Sequence, residues 1–217
     1  MKKPFNAWKE GARYYAPVLA AGIVLTGVLY PVGFAWVGAV VVVAGVAMML
    51  FFRDFPRVVP AGAGVVAAPA DGKVVGIEAL EETPHYDGPC MCISIFLSIF
   101  DVHVNRAPYA CTVREITYAP GAFKAAMRPE AGVVNESNTL RLDTDAGPMT
   151  VRQISGAVAR RIVCPVRVGD QLERGEKFGM IRYGSRTELY LPPDAEVCVT
   201  LKAKIRAGAT IVARVAV

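Results

Sequence analysis

The chain has 217 residues, 53% hydrophobic and 20% charged, with five cysteines and a formal net charge of +5. So much apolar side chain excludes intrinsic disorder and fibrous repeats, because it must be buried somewhere. The charge is lopsided: residues 1–15 hold +3 of it, while residues 53–217 set 20 basic against 18 acidic groups, without the basic stripe that a nucleic-acid partner would call for.

The first predicted element is membrane-embedded. Ala16 to Phe52 runs 37 residues without an Asp, Glu, Lys, Arg or His. As one helix it would extend about 55 Å, against a hydrocarbon core of about 30 Å. Tyr30, Pro31, Val32 and Gly33 interrupt it, so the expectation is a hairpin of two helices, about 16–29 and 34–52, spanning or re-entrant, within a region 1–57. Basic residues flank both ends of the run, with Arg53 and Arg57 after it, which places both ends on the cytoplasmic face of the cell membrane. A cleaved signal peptide would have an apolar stretch of only about 7–15 residues. An odd number of cysteines fits a reducing compartment, and Cys90, Cys92 and His85 lack zinc-type spacing, so no metal is expected.

From residue 58 to 217 one mostly β domain is expected, a sandwich or barrel. Short Val-, Ile- and Thr-rich runs at 73–79, 90–98, 110–118, 139–143, 149–155, 158–164, 178–183, 187–191, 196–201 and 210–215 alternate with Gly, Pro and Asp turns. A helical turn or two is expected only near 123–127.

Three segments hold candidate chemistry. His103 follows an apolar strand with Asp101 two residues before it, a placement suited to general acid/base work. Asp71 lies in Pro69-Ala70-Asp71-Gly72, and Gly184-Ser185 is the only Gly-Ser dipeptide, in what reads as a turn.

Together these segments resemble one family. Pro-Ala-Asp-Gly at 69–72, Phe-Asp-Val-His-Val-Asn-Arg at 100–106, Asn-Glu-x-Asn at 135–138 and Phe-Gly-Met-Ile-Arg-Tyr-Gly-Ser-Arg at 178–186 are similar to the phosphatidylserine decarboxylase proenzymes in their short bacterial and archaeal form. The resemblance implies self-cleavage between Gly184 and Ser185 into a 184-residue β chain and a 33-residue α chain, with Ser185 becoming a covalent pyruvoyl cofactor. That group would form a Schiff base with the serine head group of phosphatidylserine and release phosphatidylethanolamine and carbon dioxide. His103 would serve as general base and acid, oriented by Asp71 or by Asp101. The implied partners are a membrane phospholipid, the membrane, and the two self-cleaved chains as a heterodimer, with a higher homo-oligomer as a further option and no nucleic acid.

Two departures from the long-form members matter. Their cleavage motif is Leu-Gly-Ser-Thr where this chain has Tyr-Gly-Ser-Arg, and they carry a second histidine where Arg106 stands. Arg106 and Arg186, with Asn135 and Asn138, are therefore candidates for substrate binding. The competing readings are a non-catalytic membrane-anchored β domain that binds lipid head groups or a partner, and a decarboxylase of another serine-headed lipid such as archaetidylserine.

Overall fold

The computed structural model describes residues 5–124, 127, 130–156, 161–182 and 184–217, which divide into two compact units, Met1–Phe55 and Pro56–Val217. In the first, Asn6 caps helix α1 (Ala7–Leu29) by accepting the Lys9 amide hydrogen at 3.1 Å. The helix thus starts nine residues before the uncharged run, because a cap and the good helix formers Lys9, Glu10 and Arg13 set its start rather than hydropathy. A turn at Tyr30–Val32 ends on Gly33 with φ 78°, and α2 (Ala35–Phe51) returns antiparallel. Glycines hold the two helices close: a Cβ on Gly22 would sit 2.8 Å from Val42, and one on Gly45 2.7 Å from Leu19. Among the described residues, Ala7–Val32 is the one helix long and apolar enough to cross a membrane, and α2 is shorter.

The second unit is mostly strand, as composition led one to expect. In chain order the strands are β1 (Val65–Ala67), β2 (Gly72–Leu80), β3 (Cys90–Leu97), β4 (Val104–Arg106), β5 (Cys111–Ala119), β6 (Ser137–Thr144) and β7 (Gly147–Ile154). They continue with β8 (Ile162–Val163), β9 (Gln171–Leu172), β10 (Lys177–Ile181), β11 (Ser185–Leu191), β12 (Glu196–Val197), β13 (Lys204–Ile205) and β14 (Ile211–Arg214). Eight form one curled sheet in the order β13-β2-β3-β11-β7-β6-β5-β9, and two three-stranded sheets, β4-β10-β8 and β1-β14-β12, complete the unit. Every ladder is antiparallel. The core lies on one face of the large sheet, where Ile93, Ile95, Leu97, Leu140, Val151 and Leu189 meet Phe178 and Val212.

Two local expectations change. Phe123 and Lys124 are not helical, Ala125 and Ala126 lie outside the described residues, and among the described residues of this connection the helical turn, α3, is at Ala131–Val134. The strand expected from 187 begins instead at Ser185, since β3 and β7 both offer it a ladder. The residues 158–160 of one expected strand lie outside the described residues.

Candidate active site

Ser185 opens β11, the fourth strand of the eight, opposite Leu97 of β3. Strand alternation turns Ser185, Thr187, Leu189 and Leu191 to the core face and Arg186, Glu188 and Tyr190 to the other. Ser185 is fully buried, and its Oγ makes no hydrogen bond among the described residues. Gly184 before it has φ 61°, a left-handed conformation that disfavours any side chain, while a Cβ there would meet nothing within 4 Å. Conformation, not crowding, is what calls for glycine. Tyr183 lies outside the described residues. β10 and β11, consecutive in the chain, belong to different sheets, since β10 lies with β4 and β8.

His103 is buried immediately before β4. Its carbonyl accepts the Ile181 amide hydrogen at 3.3 Å, which places it beside the end of β10. Its Nδ1 lies 2.9 Å from the Asp101 backbone oxygen rather than from a carboxylate. The Asp101 Oδ2 instead closes its own turn, accepting the Ser98 amide at 2.8 Å and hydroxyl at 2.7 Å. Asp71 accepts from Arg57 at 2.8 Å on Oδ2 and from the Ala207 amide at 2.8 Å on Oδ1. Burial raises the Asp71 carboxyl above its ordinary range, against the pull of the Ala207 amide and of Arg57, and the like charge of Asp101 adds to the rise.

The segments bearing Asp71, His103 and Ser185 are stitched together by Asn105, a residue of the Val-Asn-Arg run to which the motifs alone assign no role. Its Nδ2 donates to Thr187 Oγ1 at 3.2 Å and to the Pro69 carbonyl at 3.4 Å, and its Oδ1 accepts from Gln153 Nε2 at 2.8 Å. The Arg106 amide donates to the same Pro69 carbonyl at 2.9 Å. Gln153 in turn accepts from Asn138 at 3.1 Å. This is a buried chain of amides in which each member satisfies the next. Asn138 is thereby engaged inside the sheet. Asn135 is engaged as well: it bridges the Lys124 backbone and the Ser155 carbonyl at 2.8–2.9 Å, fastening the β5–β6 connection to the end of β7. Nearby, Ser155 Oγ and Glu136 Oε2 are also buried and make no hydrogen bond among the described residues.

The two candidate arginines point elsewhere. Arg106 donates to the Gly175 carbonyl at 3.0 Å and lies against Gly208. Arg186 is on the face opposite Ser185, bonded to Ser94 Oγ at 2.9 Å and paired with Glu188 at 2.8 Å. Glu188 also holds Arg152 at 3.3 Å and accepts from the Tyr190 hydroxyl at 2.6 Å. This network floors a pocket of about 720 Å³ reached by His85. Burial, reinforced by the Arg152 charge, lowers the His85 pKa to about 4. On the same face Cys92 is pushed up to about 12 by burial, an inert thiol rather than a ligand or nucleophile.

The geometry therefore gathers an unbonded buried serine hydroxyl, a left-handed glycine before it, and a histidine and an aspartate on segments tied to the same strand. The family model described as phosphatidylserine decarboxylase matches residues 45–213. The chain belongs to the phosphatidylserine decarboxylase family. It is accordingly a decarboxylase. Among curated relatives, the phosphatidylserine decarboxylase proenzyme of Magnetococcus marinus is 41% identical over 99% of this chain and 97% of its own length. That of Symbiobacterium thermophilum is also 41% identical, over 99% and 97%. That of Nitratidesulfovibrio vulgaris is 47% identical over 76% of each chain. Family membership covers the whole second unit except its last residues, so all four motif segments fall inside it.

Proposed function

We propose that this chain is a self-processing, pyruvoyl-dependent enzyme that decarboxylates phosphatidylserine to phosphatidylethanolamine and carbon dioxide. The observation that carries the reading is the Ser185 hydroxyl, buried without a hydrogen-bond partner among the described residues and preceded by the left-handed Gly184. An isolated buried hydroxyl costs free energy unless the site uses it. Attack of Ser185 Oγ on the Gly184 carbonyl forms an ester, breaks the peptide C–N bond and moves a proton to the freed nitrogen. Loss of the Ser185 Cα proton then breaks Cβ–O, releasing the Gly184 carboxylate and leaving a dehydroalanine that hydrolyses, with loss of ammonia, to the pyruvoyl group. His103 is the base for these transfers, with its Nδ1 side fixed by the Asp101 carbonyl. Asp71, whose carboxylate accepts from Arg57 and from the Ala207 amide, is assigned the supporting role of orienting His103.

The fit of the pyruvoyl group rests on that same buried position at the start of β11. The group supplies an electron sink for the carbon that loses carbon dioxide. For turnover His103 delivers the proton to that carbon, and the closed core face keeps water away from it. The membrane unit, flanked by Lys2, Lys3, Lys9, Arg53 and Arg57, keeps the enzyme on the cytoplasmic face of the membrane that contains its substrate. The mature enzyme is a heterodimer of the 184- and 33-residue chains.

Intact mass of the purified protein decides the first half: two fragments, the smaller with a blocked N-terminus, are expected, and Ser185→Ala should leave one chain. An active preparation consisting only of uncut chain refutes the mechanism. Carbon dioxide release from defined phosphatidylserine, compared with archaetidylserine, decides the substrate.

A further inference from the structure

All the strand ends that surround Ser185 lie at one end of the large sheet. Leu97 pairs Ser185, Arg186 pairs Ile154, Ile154 pairs Ser137 and Ser137 pairs Ala119, so the connections leaving β3, β5 and β7 emerge together there. These connections expose large apolar side chains. Phe100 is 81% exposed, Ile99 51%, Met127 69%, Val133 85% and Phe123 40%. At the opposite end of the sheet, connections 81–89, 145–146 and 192–195 carry Glu81, Glu82, Asp87, Asp145 and Asp194 with neither Lys nor Arg and no exposed large hydrophobic, and connection 173–176 adds Glu173 and Glu176 against Arg174. Among the described residues at the Ser185 end, the exposed Lys124 and Arg161 stand with Asp101, Glu130 and the buried Glu136. The second unit is thus polarised, one end apolar and near neutral in charge, the other acidic and polar.

From this we infer that the apolar rim around Ser185 inserts into the surface of an anionic phospholipid bilayer, so that the site opens directly onto the lipid interface. The inference rests on the lipid-decarboxylase reading above. Aromatic and aliphatic side chains beside basic ones suit the headgroup boundary, and an acidic end would be repelled by it. The rim acts on delivery: a lipid head group passes from the bilayer into the site without its acyl chains crossing water. Scattered exposed hydrophobics are ordinary, but five of them confined to the loops of one strand end are the kind of patch that marks an interaction surface.

The test uses the full-length chain reconstituted in phosphatidylcholine vesicles, given either phosphatidylserine in the same bilayer or dihexanoyl phosphatidylserine dissolved as monomer. Ile99→Ser with Phe100→Ser should lower turnover of the bilayer substrate about tenfold, the effect of removing two apolar groups from an interface, and change that of the soluble substrate by less than about twofold. Met127→Ser with Val133→Ser, in a different connection, provides the same comparison if the first pair fails to fold. Equal loss on both substrates, or no loss on either, overturns the rim. A wild-type chain that releases no carbon dioxide from either lipid overturns the underlying decarboxylase reading instead, which keeps the two failures apart.

Discussion

Asn105 is the position where the site is most open to attack without touching the reacting groups. Its side chain is fully buried and makes the contacts to Thr187, Pro69 and Gln153 at 3.2, 3.4 and 2.8 Å. Asn105→Ala removes all three and leaves the Gln153 amide without that acceptor in a dry interior. Three hydrogen bonds lost at about 1 kcal/mol each, a loss that already contains the cost of stranding the Gln153 amide, give a total near 3 kcal/mol. That is a sizeable part of a typical 5–15 kcal/mol stability. For a unit of this size it corresponds to a fall in Tm of about 6–12 °C. The measurement belongs on the Ser185→Ala background, where an uncut chain keeps processing from confusing the melt. Gln153→Ala completes a double-mutant cycle with an expected coupling of about 1–2 kcal/mol. In the unmodified Ser185 chain, Asn105→Ala should also slow cutting about tenfold, because Thr187 no longer fixes the start of β11. A Tm within about 2 °C of the parent, additive single variants and an unchanged cutting rate would refute the idea that this amide chain aligns the three site segments.

Other outcomes follow from the same geometry. Gly184→Ala should fold, because its Cβ has open space, but the positive φ costs about 1–2 kcal/mol, so cutting followed by electrophoresis should slow roughly tenfold. Arg57→Ala should leave Asp71 buried without its cation, costing about 3–5 kcal/mol, and shift the pH profile of cutting further upward; Asp71→Asn in the same chain should recover most of the stability. His85 binds its proton less readily when folded than when unfolded. Stability should therefore fall as pH drops from about 6.5 towards 4, and His85→Gln should flatten that limb in urea titrations at stepped pH. Glu188→Gln should lower Tm by removing the charge that Arg152, Arg186 and Tyr190 share.

The break in the helical hairpin was legible because Pro31 and Gly33 each have a local reason to end a helix. The long strands β2, β3, β5, β7 and β11 were legible to within a few residues because alternation has room to show. β1, β9 and β13 are two or three residues long and exist only because a neighbour pairs with them, so no period announces them, and the strand expected at 196–201 shrinks to β12, where only Glu196 and Val197 find a partner. At the site, Asp71, His103 and Ser185 were visible through their motifs. Gln153 was not: a polar residue on the inward face of a strand reads as an interruption of the pattern until Asn105 and Asn138 are seen on either side of it. The same alternation did imply that Arg186 and Ser185 face opposite ways, but this needed Ser185 to be in the strand, and its neighbour Gly184 suggested a turn.

The place of β11 in the middle of the sheet has one more consequence. If the backbone parts before Ser185, the last 33 residues still supply an interior strand laddered on both edges, together with β13 and β14, which pair with β2 and β1 of the longer chain. Such a fragment has no exposed route out short of opening the whole unit. Folding of the precursor is a one-chain problem, whereas recovery of the cut enzyme would require two chains to meet, without the effective concentration that a peptide bond provides. Maturation would then fix the order of events: assembly first and cutting second, with a thermally opened mature enzyme unable to retrace the path that made it.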